Sequence, residues 1–209
     1  MQQDLFSTQS RQLVLQPMVD ASVLYREDFI NPAQASELYQ KLRENLVWCQ
    51  DSIKMYGKSV KIPRLQAWYG EPEAKYSYSG LNMTPIPWSQ PLLDIKNKVE
   101  AECAQAFNSV LANWYRDGQD GMGWHTDNEP ELGKDPVIAS VTLGQARDFD
   151  FRHVNNGQKV RMVLQNGSLL VMKGKTQAYW QHSLPKRKNL INGRINLTFR
   201  NIFPTPIKL

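Results

Sequence analysis

The run Arg194-Ile195-Asn196-Leu197-Thr198-Phe199-Arg200 alternates polar and apolar residues without a break. A period of two belongs to a β-strand, whose successive side chains leave on opposite faces. Ile195, Leu197 and Phe199 therefore share one face, and Arg194, Asn196, Thr198 and Arg200 share the other. If that polar face points into a β core, each guanidinium needs an anion, because an unpaired buried charge is very costly. Guanidinium binds a carboxylate through two parallel hydrogen bonds, so a small dicarboxylate would satisfy the strand. The alternative is an edge strand with its polar face in water.

The chain around this run suits a β core. Val137 to Leu143, Arg147 to Val154, Val160 to Leu164 and Leu169 to Met172 read as short strands separated by Gly and Asn turns. Two helices are expected before them. Asn31-Pro32 supplies a capping side chain and a proline for the first helical position, and Leu38, Leu42 and Leu46 follow every four residues. The second helix is expected from Pro91 to Leu111, where Leu92, Ile95, Val99, Cys103, Phe107 and Val110 form one stripe and place Cys103 in packing. The expected class is α+β, a sandwich or jelly roll braced by two main helices. A chain of 209 residues suits one domain. Residues 1–20 are expected to be a flexible lead, with Leu13 to Leu15 able to add a strand, and 21–209 the single domain.

No apolar run approaches the roughly 18 residues that span a bilayer, and the polar start Met1-Gln2-Gln3-Asp4 is unlike a signal peptide. Two cysteines, Cys49 and Cys103, build no disulfide framework and suit a reducing interior. A cytoplasmic protein without membrane partners is expected, nuclear if the source is a eukaryote. The net charge of +5 conceals an asymmetry: residues 151–209 hold eleven Lys or Arg and no Asp or Glu, so residues 1–150 carry 14 − 20 = −6. Basic clustering suits a polyanion, although folding could spread the two halves over one surface.

His125 and Asp127, two apart on an extended segment, project from the same side of the backbone. Together with one more histidine they would form the two-histidine, one-carboxylate facial triad of non-haem Fe(II) oxygenases. By itself His-x-Asp is a weak signal that favours a structural or capping role. The remaining histidines are His153 and His182. His182, on a separate β segment, could complete the triad, whereas His153 in an alternating run reads as a satisfied or surface histidine. Asn113 and Tyr115, also two apart, could hydrogen-bond a cosubstrate. Between Ser52 and Gln90 the chain is rich in aromatics, Gly and Pro. Tyr76 and Tyr78 share a face there, and Lys54, Lys58, Lys61 and Arg64 are interleaved, as in a base-stacking surface or, alternatively, a core or oligomer face.

Taken together, these motifs resemble the AlkB-type Fe(II)- and 2-oxoglutarate-dependent dioxygenases, most closely those acting on duplex DNA. The resemblance runs from about Tyr56 to Ile202. It rests on Asn113-x-Tyr115-x-Asp117-Gly118, His125-x-Asp127, Ala139-Ser140-Val141, Arg147-Asp148-Phe149 and Phe151-Arg152-His153. Gly167-Ser168-Leu169-Leu170, His182-Ser183-Leu184-Pro185 and Arg194-x-Asn196-Leu197-Thr198-Phe199-Arg200 extend it. It implies a double-stranded β-helix core over 113–203 and a nucleotide-recognition lid over 52–90. His125, Asp127 and His182 become iron ligands and the catalytic centre. Asn113, Tyr115, Arg194, Asn196, Thr198 and Arg200 become 2-oxoglutarate-binding residues, with Arg200 the expected clamp on the distal carboxylate.

On the substrate side, the resemblance implies Tyr76, Ser77 and Tyr78 around the flipped base, with Tyr78 stacked on it opposite His125. Tyr56, in Met55-Tyr56-Gly57-Lys58, takes the place of an aromatic finger that fills the gap left by that base. Arg64 and Gln66 match substrate-side residues, and Lys186-Arg187-Lys188 matches a basic loop on the opposite strand. Asn128 departs from the pattern: duplex-acting relatives have a second aspartate there that faces the base, and this chain lacks that carboxylate. The implied activity is oxidative demethylation of 1-methyladenine- and 3-methylcytosine-type lesions with Fe(II), O2 and 2-oxoglutarate, releasing succinate, CO2 and formaldehyde. The implied partner is alkylated DNA, single- or double-stranded, and the protein a monomer. RNA demethylation, small-molecule hydroxylation on the same core, and a non-catalytic nucleic-acid binder are the alternatives.

Overall fold

The computed structural model describes residues 12–55, 58–74, 76–78 and 81–203. In chain order the first elements are β1 (Val14–Leu15), β2 (Ser22–Arg26), α1 (Pro32–Asn45), β3 (Ser52–Met55) and β4 (Lys58–Lys61). β5 (Leu65–Gly70), β6 (Tyr76–Tyr78), β7 (Leu81–Met83) and α2 (Gln90–Cys103) follow. The chain then turns to strands: β8 (Ser109–Tyr115), β9 (Met122–His125), β10 (Ile138–Gly144), β11 (Arg147–His153), β12 (Lys159–Leu164) and β13 (Leu169–Lys173). One helical turn, α3 (Thr176–Tyr179), leads into β14 (Trp180–Leu184) and β15 (Arg194–Arg200).

A seven-stranded antiparallel sheet, in the order β1-β2-β13-β10-β15-β8-β5, faces a four-stranded one, β12-β11-β14-β9. Alternation along β15 explains the layering. Ile195, Leu197 and Phe199 are fully buried in one cluster with Leu42 and Leu46 near α1 and Leu92, Ile95 and Val99 of α2. Each such side chain contributes about 1.5–3 kcal/mol of burial. On the other face of the same sheet, Leu111, Tyr115, Ile138, Leu170 and Met172 join Phe149, Phe151, Leu164, Trp180 and Leu184 of the smaller sheet. The polar side chains of β15 point into this inter-sheet layer and are buried, which sets aside the solvent-facing edge strand. The result is the expected jelly roll braced by α1 and α2.

The Asn31 side chain caps α1 by accepting from the Gln34 N–H at 2.9 Å. The second helix is shorter than the apolar stripe implied. It stops at Cys103, because Ala104 turns left-handed (φ 48°) and Glu100 Oε1 accepts the Phe107 N–H at 2.6 Å. Val110 belongs instead to β8, which lies between β15 and β5 with both faces covered. Burial on both faces fills in the polar half of the alternation, so an interior strand continued the apolar pattern of a helix.

Within the expected lead, β1 pairs with β2, Met18 is buried, and the Val19 carbonyl accepts from Trp180 Nε1 at 2.8 Å. Met55 pairs with Lys58, so β3 and β4 form a hairpin, while Tyr56 and Gly57 lie outside the described residues. His153 is buried and satisfied. Its Nδ1 accepts the N–H groups of Asn155 and Asn156, and Nε2 lies 3.4 Å from Asp20.

Candidate active site

Sheet register brings the metal-ligating residues together. His182 of β14 and His125 of β9 are directly opposed, with ring centroids 4.2 Å apart. β9 ends at His125, so Asp127 lies in the loop just beyond, where the ladder does not hold its backbone. Its buried N–H donates instead to Gln177 Oε1 at 2.9 Å. Its carboxylate accepts from Arg200 Nη2 at 2.7 Å and lies 3.8 Å from His182 Nε2. One coordinating atom from each of the three residues falls within 4.8 Å of the others. His125 Nδ1 is 2.9 Å from the Gly123 carbonyl, which can only accept, so the lone pair resides on Nε2.

The protonation states fit a cation. Burial, then His125, push His182 down to about 3, so its imidazole is neutral. Burial alone would raise Asp127, but Arg200, His182 and His125 together outweigh it and hold the carboxyl below its ordinary range. The His125 and His182 rings and the Asp127 carboxylate supply the two-nitrogen, one-oxygen donor set of a non-haem Fe(II) site.

The same cavity runs along the polar face of β15. His125, Asp127, His182 and Arg200 line one end, and Tyr115 and Arg194 line the other. Six residues of strand put the two arginines roughly 20 Å apart along the backbone. Between them, Asn196 opposes Asn113 and Thr142, and Thr198 opposes Leu111 and Ser140. Asn196 Nδ2 donates to Ser140 Oγ at 2.7 Å, and Asn113 Oδ1 accepts from the buried Arg64 Nε at 2.8 Å.

Arg194 is 1% exposed. It donates to Thr142 Oγ1 at 2.9 Å and lies 5.5 Å from the Tyr115 ring centroid, but its Nε has no hydrogen-bond partner. Among the described residues it forms no salt bridge. Burial pushes its guanidinium down to about 10.

The substrate-side residues are less convergent. Arg64 and Gln66 are both turned inward, the first onto Asn113 and the second onto Asp51 at 2.6 Å. Tyr76, Ser77 and Tyr78 form β6, paired with β7. Lys58, Asn128 and Lys188 are exposed, and Arg187 is held by Asp148 at 2.6 Å. Several contributors carried no motif. Gln177 fixes the ligand loop, and Phe149 stacks against His182 with centroids 5.3 Å apart. Ser140 and Thr142 were signalled only by their two-residue spacing in a strand.

The chain belongs to the 2OG-Fe(II) oxygenase superfamily, whose family model matches residues 22–200. That membership implies Fe(II), 2-oxoglutarate and O2, with the ion at His125, Asp127 and His182. The chain is 41% identical over 184 residues to the bovine "DNA oxidative demethylase ALKBH2", covering 83% of this chain and 66% of that protein. It is 39% identical over 188 residues to the bovine "Alpha-ketoglutarate-dependent dioxygenase alkB homolog 3", covering 85% and 65%. It therefore spans about two thirds of these relatives' length. The human ALKBH2 protein matches at 41% identity, with 83% and 70% covered. The fold is shared with the solved structure of OsALKBH1 at a TM-score of 0.61 and 17% identity, over 90% of this chain and all of that one.

Proposed function

We propose that this protein removes N-alkyl groups from bases of the 1-methyladenine and 3-methylcytosine type in DNA, releasing formaldehyde, succinate and CO2. One observation carries the reading: the His125–Asp127–His182 triad shares its cavity with a buried arginine, Arg194, that forms no salt bridge among the described residues. The bovine and human relatives named DNA oxidative demethylase support the DNA substrate. Iron with 2-oxoglutarate supplies the oxidant that an inert N-methyl C–H bond requires.

The residues divide the remaining work. His125, Asp127 and His182 hold the metal, and Arg200 keeps Asp127 ionised. Arg194, with Thr142 and Tyr115 beside it, takes the distal carboxylate of 2-oxoglutarate. Arg200 was the expected clamp, but its guanidinium already faces the ligand carboxylate. Asn113, Asn196 and Thr198 line the path between the two ends. Extruding a base costs a few kcal/mol, less when methylation has already broken its pairing, which favours lesions on the Watson–Crick edge. Tyr76, Ser77 and Tyr78 receive that base. Tyr56 with Gly57 and Lys58 fills the duplex, and Arg187 and Lys188 meet the opposite strand. A monomer in the compartment that holds the genome suffices for this work.

The test is mass spectrometry of methylated single-stranded DNA, duplex DNA and RNA incubated with iron, ascorbate and 2-oxoglutarate. Loss of the methyl group from DNA with matching formaldehyde release is expected. Turnover confined to RNA, or to no nucleic acid, would overturn the assignment.

A further inference from the structure

The outer face of the smaller sheet carries a feature that the iron cavity does not use. Trp124 precedes the ligand His125 on β9, and the two-residue period sends its side chain to the opposite side. Its indole is 38% exposed. The Arg152 guanidinium lies over the ring, 4.6 Å from its centroid, and is held there by donating to Gln181 Oε1 at 2.6 Å. Trp124 also lines a groove of about 320 Å³ together with Gly123, Asp150, Ser183 and Lys186. A Cβ built on Gly123 would meet nothing within 4 Å, so the strand is open to a ligand there. Met122 and Leu184 line both this groove and the triad cavity, so the two share a wall. Asp150, the one acid among the described lining residues, is engaged by Arg161 Nε and Nη2 at 2.6 and 2.8 Å. Among the described lining residues Lys186 is then the uncompensated charge, and Arg152 adds a second cation beside it on the Trp124 ring.

We infer that this groove holds a nucleotide flanking the one in the iron cavity, with its base stacked on Trp124 and its phosphate between Arg152 and Lys186. The inference rests on the nucleic-acid substrate proposed above. An aromatic platform beside a cationic rim is how proteins hold single strands without reading sequence. A base inside a duplex already has both faces stacked, so the platform serves single-stranded substrate. Because one wall is common, adjacent nucleotides can occupy the two cavities together.

The experiment compares wild type, Trp124→Ala and Trp124→Phe on a methylated mononucleotide, trinucleotide, single-stranded oligonucleotide and the same oligonucleotide in duplex. For Trp124→Ala, KM on the trinucleotide and single strand should rise about tenfold with kcat retained, as expected for one lost stacking contact. Trp124→Phe should recover most of that loss. Anisotropy of an unmethylated single strand on metal-free protein should show the same tenfold weakening without any turnover. An unchanged length dependence in Trp124→Ala would refute the groove, as would an equal loss on duplex. A loss that also appears in Mn(II) affinity would refute it too, by tracing the effect to His125. A wild type inactive on every methylated nucleic acid would instead sink the substrate assignment, which separates the two failures.

Discussion

The two ends of β15 present the same side chain in opposite circumstances. Arg200 donates to the carboxylate of Asp127, and both partners are almost fully buried. Arg194, equally buried, has a hydroxyl and an aromatic face but no salt bridge among the described residues. The first arginine completes its charge balance within the folded chain. The second leaves it open among the described residues, and that is the place the proposed function gives to a ligand carboxylate. Their roles should therefore separate between stability and cosubstrate binding.

Breaking the closed end has the largest effect. Asp127→Ala removes a metal ligand and should bring turnover to background while DNA binding, followed by anisotropy, persists. Residual turnover near the wild-type rate would show that the carboxylate is not a ligand. Arg200→Met leaves Asp127 as a buried charge without its guanidinium, and chemical denaturation of the metal-free protein should show a loss of about 3–5 kcal/mol. At the open end the expectation reverses. Arg194→Met should leave metal-free stability unchanged or raised, yet weaken 2-oxoglutarate about 100-fold by calorimetry, the scale of two charge-assisted hydrogen bonds. Equal losses of stability at both ends would erase the distinction.

Gln177 sharpens the closed end further. Gln177→Ala should lower Mn(II) affinity about 10- to 100-fold, as for other residues that support a ligand from behind. The smallest effect, taken per unit of pH, is on acid stability. His182 titrates lower in the fold, at about 3, than the ordinary 6.5. Its contribution is fully present above pH 6.5 and is lost as pH falls towards 3. Metal-free stability should drop by up to about 1.4 kcal/mol for each pH unit within that window. Asp127, also depressed, adds loss only below the ordinary carboxylate range.

Much of this site could be read from the chain because its residues obey strand periodicity. Asn113 with Tyr115, and Arg194 through Arg200, share faces by spacing alone, and the fold keeps those faces. What could not be read depends on register between distant segments. Nothing local says that His125 will oppose His182, or that Arg200 rather than Arg194 will reach Asp127. Gln177 is invisible for the same reason: its partner is a backbone N–H fifty positions away. The overlong second helix failed differently, since a strand covered on both faces shows no alternation to betray it.

Among the described residues the hairpins β3–β4 and β6–β7 are small sheets of their own, paired with neither main sheet. The chemistry is anchored in ladders that these hairpins do not join. Their loops can therefore vary in length and side chains without disturbing the ligand geometry. On the substrate contacts proposed above for these hairpins, substrate choice and oxidative chemistry are free to drift apart in evolution, and a hairpin exchanged between relatives should change the substrate without changing the metal site.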